Sequence, residues 1–308
     1  MSETVSVFHQ MKDLPREHLL APGTAMCAGC GGLQALHEVQ DVLGRDTVVV
    51  NAAGCMTLLA AYPYTPLPGS WLYTSMASAP AGAQGVRDAL DIQLAKGRIK
   101  PEEDLQVVVL SGDGAAYGMG MSATSGAIER GLDFLYLCYD NEGYGNTGQQ
   151  SSPATPRGAR TSTAVGPHGQ AAGKKDLFSI WAAHRPTYVA TVIGSEPLDL
   201  ARKIEKARSL KGPRLIIALS PCPTGWDFDP QDTVEIGHLA VKTGIWPLKE
   251  YVDGVVTHTR LPKPRLPAEE YLKRQGRFAH LFAPNRDEAV LAAIQAEVDR
   301  YWAEVESG

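Results

Sequence analysis

Nowhere in the 308 residues does an apolar run approach the length needed to cross a bilayer. Basic residues form no tract. The 29 Lys and Arg stand against 34 Asp and Glu, a net charge of -5, which argues against a polyanionic partner such as nucleic acid. The opening MSETVSVFHQMKDLPREHLL has no apolar core of the kind a secretory signal carries, so the expected compartment is the cytoplasm. Cysteine is scarce, five in all, too few for a disulfide scaffold in a chain of this size. In a reducing compartment, closely spaced thiols point first to metal or redox chemistry. No internal repeat or low-complexity tract occurs. What remains is a globular composition, 44% hydrophobic, with ample core for one large α/β domain or two smaller ones.

The chain is organised around residues 105–148. The run Val107-Val108-Val109-Leu110 is short, β-branched and not alternating, as expected of a strand buried on both faces of a parallel sheet. It ends in Gly112-Asp113-Gly114. Small residues at helical spacing follow (Met119, Met121, Ile128), and then a second apolar run, Phe134 to Cys138. Together they read as a βαβ unit, whose right-handed crossover sets both strand ends on one edge of the sheet. Open α/β sheets bind ligands at that edge. Asp113 leaves the first strand there, and Asp140-Asn141 leave the second.

A carboxylate and an amide oxygen at neighbouring strand ends are hard ligands of the kind Mg2+ prefers, with its remaining positions left to phosphates and water. Gly112 and Gly114 let the backbone approach a diphosphate closely, and the following helix offers its N-terminus to that anion. Gly-Asp-Gly alone also makes ordinary turns. Followed at this distance by Asn, with a strand before each, it resembles the thiamine diphosphate motif. That resemblance implies Mg2+ held by Asp113, Asn141 and the Gly143 carbonyl.

Cys27 and Cys30 form a Cys-x-x-Cys bracketed by glycines, ahead of a helical pattern over 33–44. A thioredoxin-like dithiol wants a strand before such a helix, and none is evident. A structural zinc site wants a second close Cys or His pair, and there is none. The third reading is an iron-sulfur cluster held by thiolates from separate loops. Cys55 and Cys222 qualify, each in a Gly- or Pro-containing turn after an apolar strand (47–51 and 214–220), whereas Cys138 lies mid-strand as a small buried hydrophobe. This gives one [4Fe-4S] cluster on Cys27, Cys30, Cys55 and Cys222.

In order along the chain, several motifs resemble the β subunits of 2-oxoacid:ferredoxin oxidoreductases, the pyruvate synthase-like branch in particular. They are Cys27-Ala28-Gly29-Cys30-Gly31, Gly54-Cys55-Met56 ahead of Tyr62-Pro63-Tyr64, the Gly-Asp-Gly and Asn unit, NTGQQSSPATP over 146–156, and Pro221-Cys222-Pro223. Lys263-Pro264 and YLKRQGRF over 271–278 extend the match towards the C-terminus. The resemblance implies an α/β fold, a parallel-sheet thiamine diphosphate-binding domain with helices on both faces. It implies cofactor contacts at Gly54, Cys55, Gly112, Asp113, Gly114, Ala115, Asn141, Gly143, Tyr144 and Thr147, with Asn146 facing the reacting carbon. It implies oxidative decarboxylation of a 2-oxoacid, pyruvate by default, with coenzyme A as cosubstrate. One departure is Ser75-Met76-Ala77-Ser78-Ala79-Pro80-Ala81, where pyruvate-using relatives carry aromatic, acidic and amide residues. It either reshapes the pocket, leaving oxalate or an aryl acid such as phenylglyoxylate open, or only repacks a helix start.

Thiamine chemistry needs a carboxylate near the pyrimidine ring, and no Glu here sits in a suitable motif. An α subunit is therefore expected to complete the active site. Five cysteines leave no room for a ferredoxin-type cluster pair, so a ferredoxin-like iron-sulfur subunit is expected too, with ferredoxin or an NAD-linked subunit as acceptor. Two other classes explain part of the pattern: a non-catalytic iron-sulfur electron-transfer subunit, and a non-redox thiamine diphosphate decarboxylase or synthase.

Residues 1–22 read as a surface arm and 157–175 as a long loop, a lid or interface segment in which His168 is solvated. Lys174 and Lys175 either meet coenzyme A or face solvent. A helix over 176–183 with an Asp cap, a strand over 187–193 and a helix over 198–210 complete a domain spanning 1–226. Prolines 247, 262, 264 and 267 mark 227–308 as an extended C-terminal tail with little core of its own, wrapping a neighbouring subunit and ending in an amphipathic helix over 286–304.

Overall fold

The run Val107–Leu110 needs cover on both sides and has it. Val107 and Val109 pack into one apolar layer, Val108 and Leu110 into the other, all at most 2% exposed. The structure is a computed structural model that describes residues 6–60, 64–101 and 104–307. Tyr62 and Pro63 of the motif noted above, and the first five residues of the expected arm, lie outside these.

Eight strands form one sheet: β1 Thr47–Ala52, β2 Ser70–Thr74, β3 Gln106–Gly112, β4 Phe134–Asp140, β5 Tyr188–Ile193, β6 Pro213–Leu219, β7 Lys249–Val252 and β8 Val255–His258. Their order is β2-β1-β3-β4-β6-β5-β7-β8, the first six parallel and the last two antiparallel. Helices cover both faces. On one side lie α1 (Gly31–Leu43) and α5 (Pro197–Ser209), packed against each other. On the other are α2 (Ala79–Ala95), α3 (Met121–Glu129) and α4 (Leu177–Ala183). α1 buries Leu36, Val39, Val42 and Leu43 at helical spacing and stops at Gly44, whose φ of 87° suits glycine.

Two features depart from expectation. Between Gly112 and α3 the chain makes a π-helical turn, Gly114–Met119, rather than running straight into an α-helix; such turns concentrate at functional sites. The second is the segment 227–308, which is built into the body of the chain. Asp253-Gly254, both at positive φ, close a tight hairpin of β7 and β8 onto β5. Helix Thr233–Lys242 and the closing helix Glu288–Ser307 bury Ile236, Leu291, Ile294, Val298 and Trp302 in the layer that covers Val107 and Val109. Tyr271, Leu272, Phe278 and Leu281 join them. The prolines punctuate this path without removing its apolar side chains from the core.

β2 is the opposite case. It lies at the sheet edge, carries no charge, and leaves Leu72 and Tyr73 43% and 51% exposed.

Trp302 is 1% exposed and its Nε1 donates to the Gly244 carbonyl over 2.9 Å. Trp302→Ala is expected to cost about 3–5 kcal/mol of unfolding free energy in a denaturant titration. A loss below about 1 kcal/mol would mark the closing helix as peripheral.

Candidate active site and thiol cluster

From β1 the chain runs outward to β2 and returns to β3 on β1's other side, so the winding reverses there. Crevices beyond the C-terminal ends of strands at such a point bind ligands. A cavity of about 120 Å³ lies there. Its wall gathers Gly54 and Cys55 after β1, Gly112, Asp113 and Gly114 after β3, and Asn141, Gly143, Tyr144, Asn146 and Thr147 after β4. Ala115 is fully buried behind this wall and does not line it. Met76, from the departing 75–81 stretch, does.

Parallel pairing of β3 with β4, Gly112 opposite Tyr139, brings the two exits side by side. Asn141 Oδ1 lies 2.7 Å from Asp113 Oδ1 and 2.9 Å from the Gly143 carbonyl oxygen. With the amide nitrogen turned to these two oxygens, both contacts are hydrogen bonds that Asn141 donates. The Asn141 side chain thus meets both groups at one place, and with its oxygen turned inward the three would suit a hard cation. Asp113 is 1% exposed; burial, and then the Asp140 charge, push its carboxyl well above the usual range. Its other oxygen accepts from the Ser152 hydroxyl. A buried carboxylate with so little compensation is one that a divalent ion would relieve. Tyr144 lies flat on Gly114, where a Cβ would come within 2.1 Å of its ring.

A dense ion network supports this turn. Lys174 Nζ stands 2.6 Å from Asp140 and 2.8 Å from Glu142, and Arg277 reaches Glu142 at 2.6 Å. Tyr117 donates to Asp140 over 2.5 Å. Burial alone would raise the Glu142 carboxyl, but Lys174 and Arg277 hold it below its ordinary value. Lys174, expected at coenzyme A or in solvent, is thus an internal counter-ion, while Lys175 is exposed and donates to the Tyr117 carbonyl over 2.6 Å. His168 is solvated, beside Asp287.

The thiols sit next door. Gly31 N–H donates to the Pro221 carbonyl over 3.0 Å, and a Cβ at Gly31 would fall 2.7 Å from the Pro221 nitrogen. The Cys-x-x-Cys loop is thereby seated on the turn that carries Cys222. Cys30 caps α1, its Sγ accepting from Leu33 N–H, and Cys222 accepts from Gly225 N–H at the head of the short helix Pro223–Trp226. Burial, then the charges of Cys222, Cys30 and Cys27, push the Cys55 thiol up to about 12. Cys222 rises to about 11, through burial and then Cys30 and Cys27. Four thiols therefore share one neighbourhood. Cys138, fully buried mid-β4, is raised by burial and by Asp140 and Asp113 instead. Among the described residues no three His, Cys, Asp or Glu side chains converge tightly enough for a single ion. Thiolates on separate irons of a cluster stand farther apart than that.

The middle of the chain, residues 52–218, matches the family model described as thiamine pyrophosphate enzyme, C-terminal TPP binding domain. Over 292 residues it is 44% identical to the pyruvate synthase subunit PorB of Methanothermobacter thermautotrophicus, spanning 93% of this chain and 96% of that one. This chain is a β subunit of the 2-oxoacid:ferredoxin oxidoreductases. The β subunit is also 38% identical to PorB of Thermotoga maritima (92% and 90% covered) and 39% identical to the ketoisovalerate oxidoreductase subunit VorB of Pyrococcus abyssi (87% and 88% covered). A solved structure, the 2-oxoglutarate:ferredoxin oxidoreductase of Magnetococcus marinus, shares the fold at a TM-score of 0.55 and 23% identity, over 76% of this chain and 84% of that one.

Sequence reading missed the counter-ions of this β subunit. Arg277 lies in a stretch whose resemblance was noted, but nothing local tied it to Glu142, 135 positions away. For the thiols, the raised Cys55 value predicts slow alkylation in metal-free protein. Mass spectrometry should find its modification still rising with pH beyond about 10, where an ordinary thiol with a pKa of about 8.5 has levelled off. A plateau there would contradict the buried, mutually repelling arrangement.

Proposed function

We propose that this β subunit holds thiamine diphosphate through Mg2+, and a [4Fe-4S] cluster through Cys27, Cys30, Cys55 and Cys222. With partner subunits it would oxidatively decarboxylate a 2-oxoacid, pyruvate first, to acyl-CoA and CO2. The meeting of the Asp113 carboxylate, the Asn141 side chain and the Gly143 carbonyl at the cavity wall carries this reading. When bound, thiamine diphosphate would supply the carbanion chemistry and the cluster a one-electron outlet.

The chain's own residues set the stage. Asp113, Asn141 and Gly143 would fix the cation, and Gly112 and Gly114 leave room for a diphosphate beside the backbone. Asn146 and Thr147, exposed at the cavity mouth, stand where a substrate carboxylate or keto oxygen could accept their hydrogen bonds. Met76 contributes an apolar side chain to the same wall, which favours a small aliphatic acid. Among the described residues Asp113 is the single acid lining the cavity. The carboxylate needed at the pyrimidine ring is then a partner's, which makes the active site an interface.

The thiol group adjoins the cavity. A Cβ on Gly145, in the metal loop, would touch Cys55 Sγ at 3.4 Å. Trp226, four residues past Cys222, donates its Nε1 to the Asn141 carbonyl over 2.8 Å. Cation and cluster would thus share one rigid support, a short path for electrons leaving the substrate.

Asp113→Asn should weaken Mg2+ and thiamine diphosphate together in calorimetric titration. Unchanged thiamine diphosphate affinity would refute the metal assignment. Cys222→Ser should lower iron content and the visible iron-sulfur absorbance; full iron in that variant would transfer the fourth ligand to Cys138.

A further inference from the structure

Glu142 stands between the two metal-facing groups that β4's exit supplies, the Asn141 side chain and the Gly143 carbonyl. Its backbone is left-handed, with φ at 60°. That conformation crowds the Cβ of an L-residue and suits glycine better. A glutamate occupies it all the same, 4% exposed. Its carboxylate meets Lys174 at 2.8 Å and Arg277 at 2.6 Å, from segments 32 and 135 positions downstream. Its carbonyl accepts from Thr155 Oγ1 over 2.8 Å. Arg277 lies 3.9 Å from the ring centre of Trp226, which holds the Asn141 carbonyl. The Glu142 side chain and carbonyl and the Asn141 carbonyl are thereby tied down.

The charges are divided with the same effect. Asp140 is taken by Lys174 and Tyr117, and Glu142 by Lys174 and Arg277. Among the described residues Asp113 has no cationic side chain in salt-bridge contact; the Ser152 hydroxyl donates to it, as does the Asn141 amide when its nitrogen faces it. Of three neighbouring buried carboxylates, one is left for an incoming metal. Without the two cations, Asp140 and Glu142 would be unpaired buried acids that compete for it.

We infer that Glu142, Lys174 and Arg277 are positioning residues for the divalent-cation site: they touch neither metal nor substrate, and fix Asn141 and Gly143 by clamping the residue between them. This rests on reading the three convergent oxygens as a metal site. It also assigns a purpose to the 157–175 loop and to the 271–278 stretch, which deliver the two cations from opposite sides. Outer groups of this kind typically set metal affinity by about 10–100-fold.

The test is an Mn2+ titration of the purified, metal-stripped oxidoreductase, without thiamine diphosphate, read from the loss of the free-ion paramagnetic signal. Glu142→Gln, nearly isosteric, should weaken Mn2+ binding by about 10–100-fold. Arg277→Gln should do the same, and the double variant should fall little further than either single one. Asp133→Asn is the control. It loosens the half-buried Asp133 carboxylate from the buried Arg214 (2.8 Å) at the opposite ends of the strands, so it should lower the unfolding temperature and leave Mn2+ affinity alone. Lys174→Met, at the half-open end of the clamp (side chain 21% exposed), is the milder variant should Glu142→Gln not fold, and should also weaken binding. Wild-type affinity in any folded clamp variant, with only the unfolding temperature reduced, overturns the inference. A wild-type protein that binds no Mn2+ overturns the metal reading beneath it.

Discussion

Asp113, 1% exposed, is a carboxylate held out of water, and the structure around it is organised by that burden. The Asn141 side-chain amide stands 2.7 Å from Asp113 Oδ1 and 2.9 Å from the Gly143 carbonyl oxygen, so three polar groups meet there. Neither the amide nor the carbonyl carries a charge that could offset burial of the Asp113 carboxylate. Much of the architecture serves to make that arrangement tolerable. Parallel register delivers the strand exits together, glycines clear the space in front of them, and buried cations neutralise the acids behind. A buried carboxylate provided for in this way, with polar neighbours around it, suits a divalent ion.

The same turn touches both the cavity and the thiols. Trp226 bridges from the Cys222 helix to Asn141, Arg277 covers Trp226, and Cys55 leaves β1 at the rim of the cavity. Displacement of the Cys222 turn would be felt at Asn141 through one hydrogen bond. The 271–278 stretch enters through Arg277 and through Tyr271, which packs edge-on against Trp226. The C-terminal quarter is therefore structural support for the centre of the molecule, although it joins the sheet only at its far edge.

How much of this was legible in the sequence follows from the range of the signals. The β3 and β4 runs, the Gly-Asp-Gly punctuation and the cysteine spacing are local, and each is written within a few residues. The strand β2, with a tryptophan, a leucine and a tyrosine in five residues, has no alternation that a half-buried strand would show, because it lies at an edge. The hairpin β7–β8 has strands of four residues each, too short for periodicity, and only Asp253-Gly254 hints at its turn. Lys174 looks like one of many surface lysines, since an ion pair across 32 positions leaves no mark on its neighbours. The π-helical turn after Asp113 is set by the tertiary fit of Tyr144 over Gly114 rather than by helix preference.

The bare rim formed by β2 has a practical corollary for anyone producing this polypeptide. Leu72 and Tyr73 face outward beside a row of unpaired backbone donors and acceptors, with no lysine or proline in the strand to discourage strand-to-strand adhesion. Made alone, the chain offers its ribbon to any passing copy of itself and invites clumping. Co-synthesis with the companion polypeptides of the assembly is the natural remedy, and a charged residue at position 72 a chemical one.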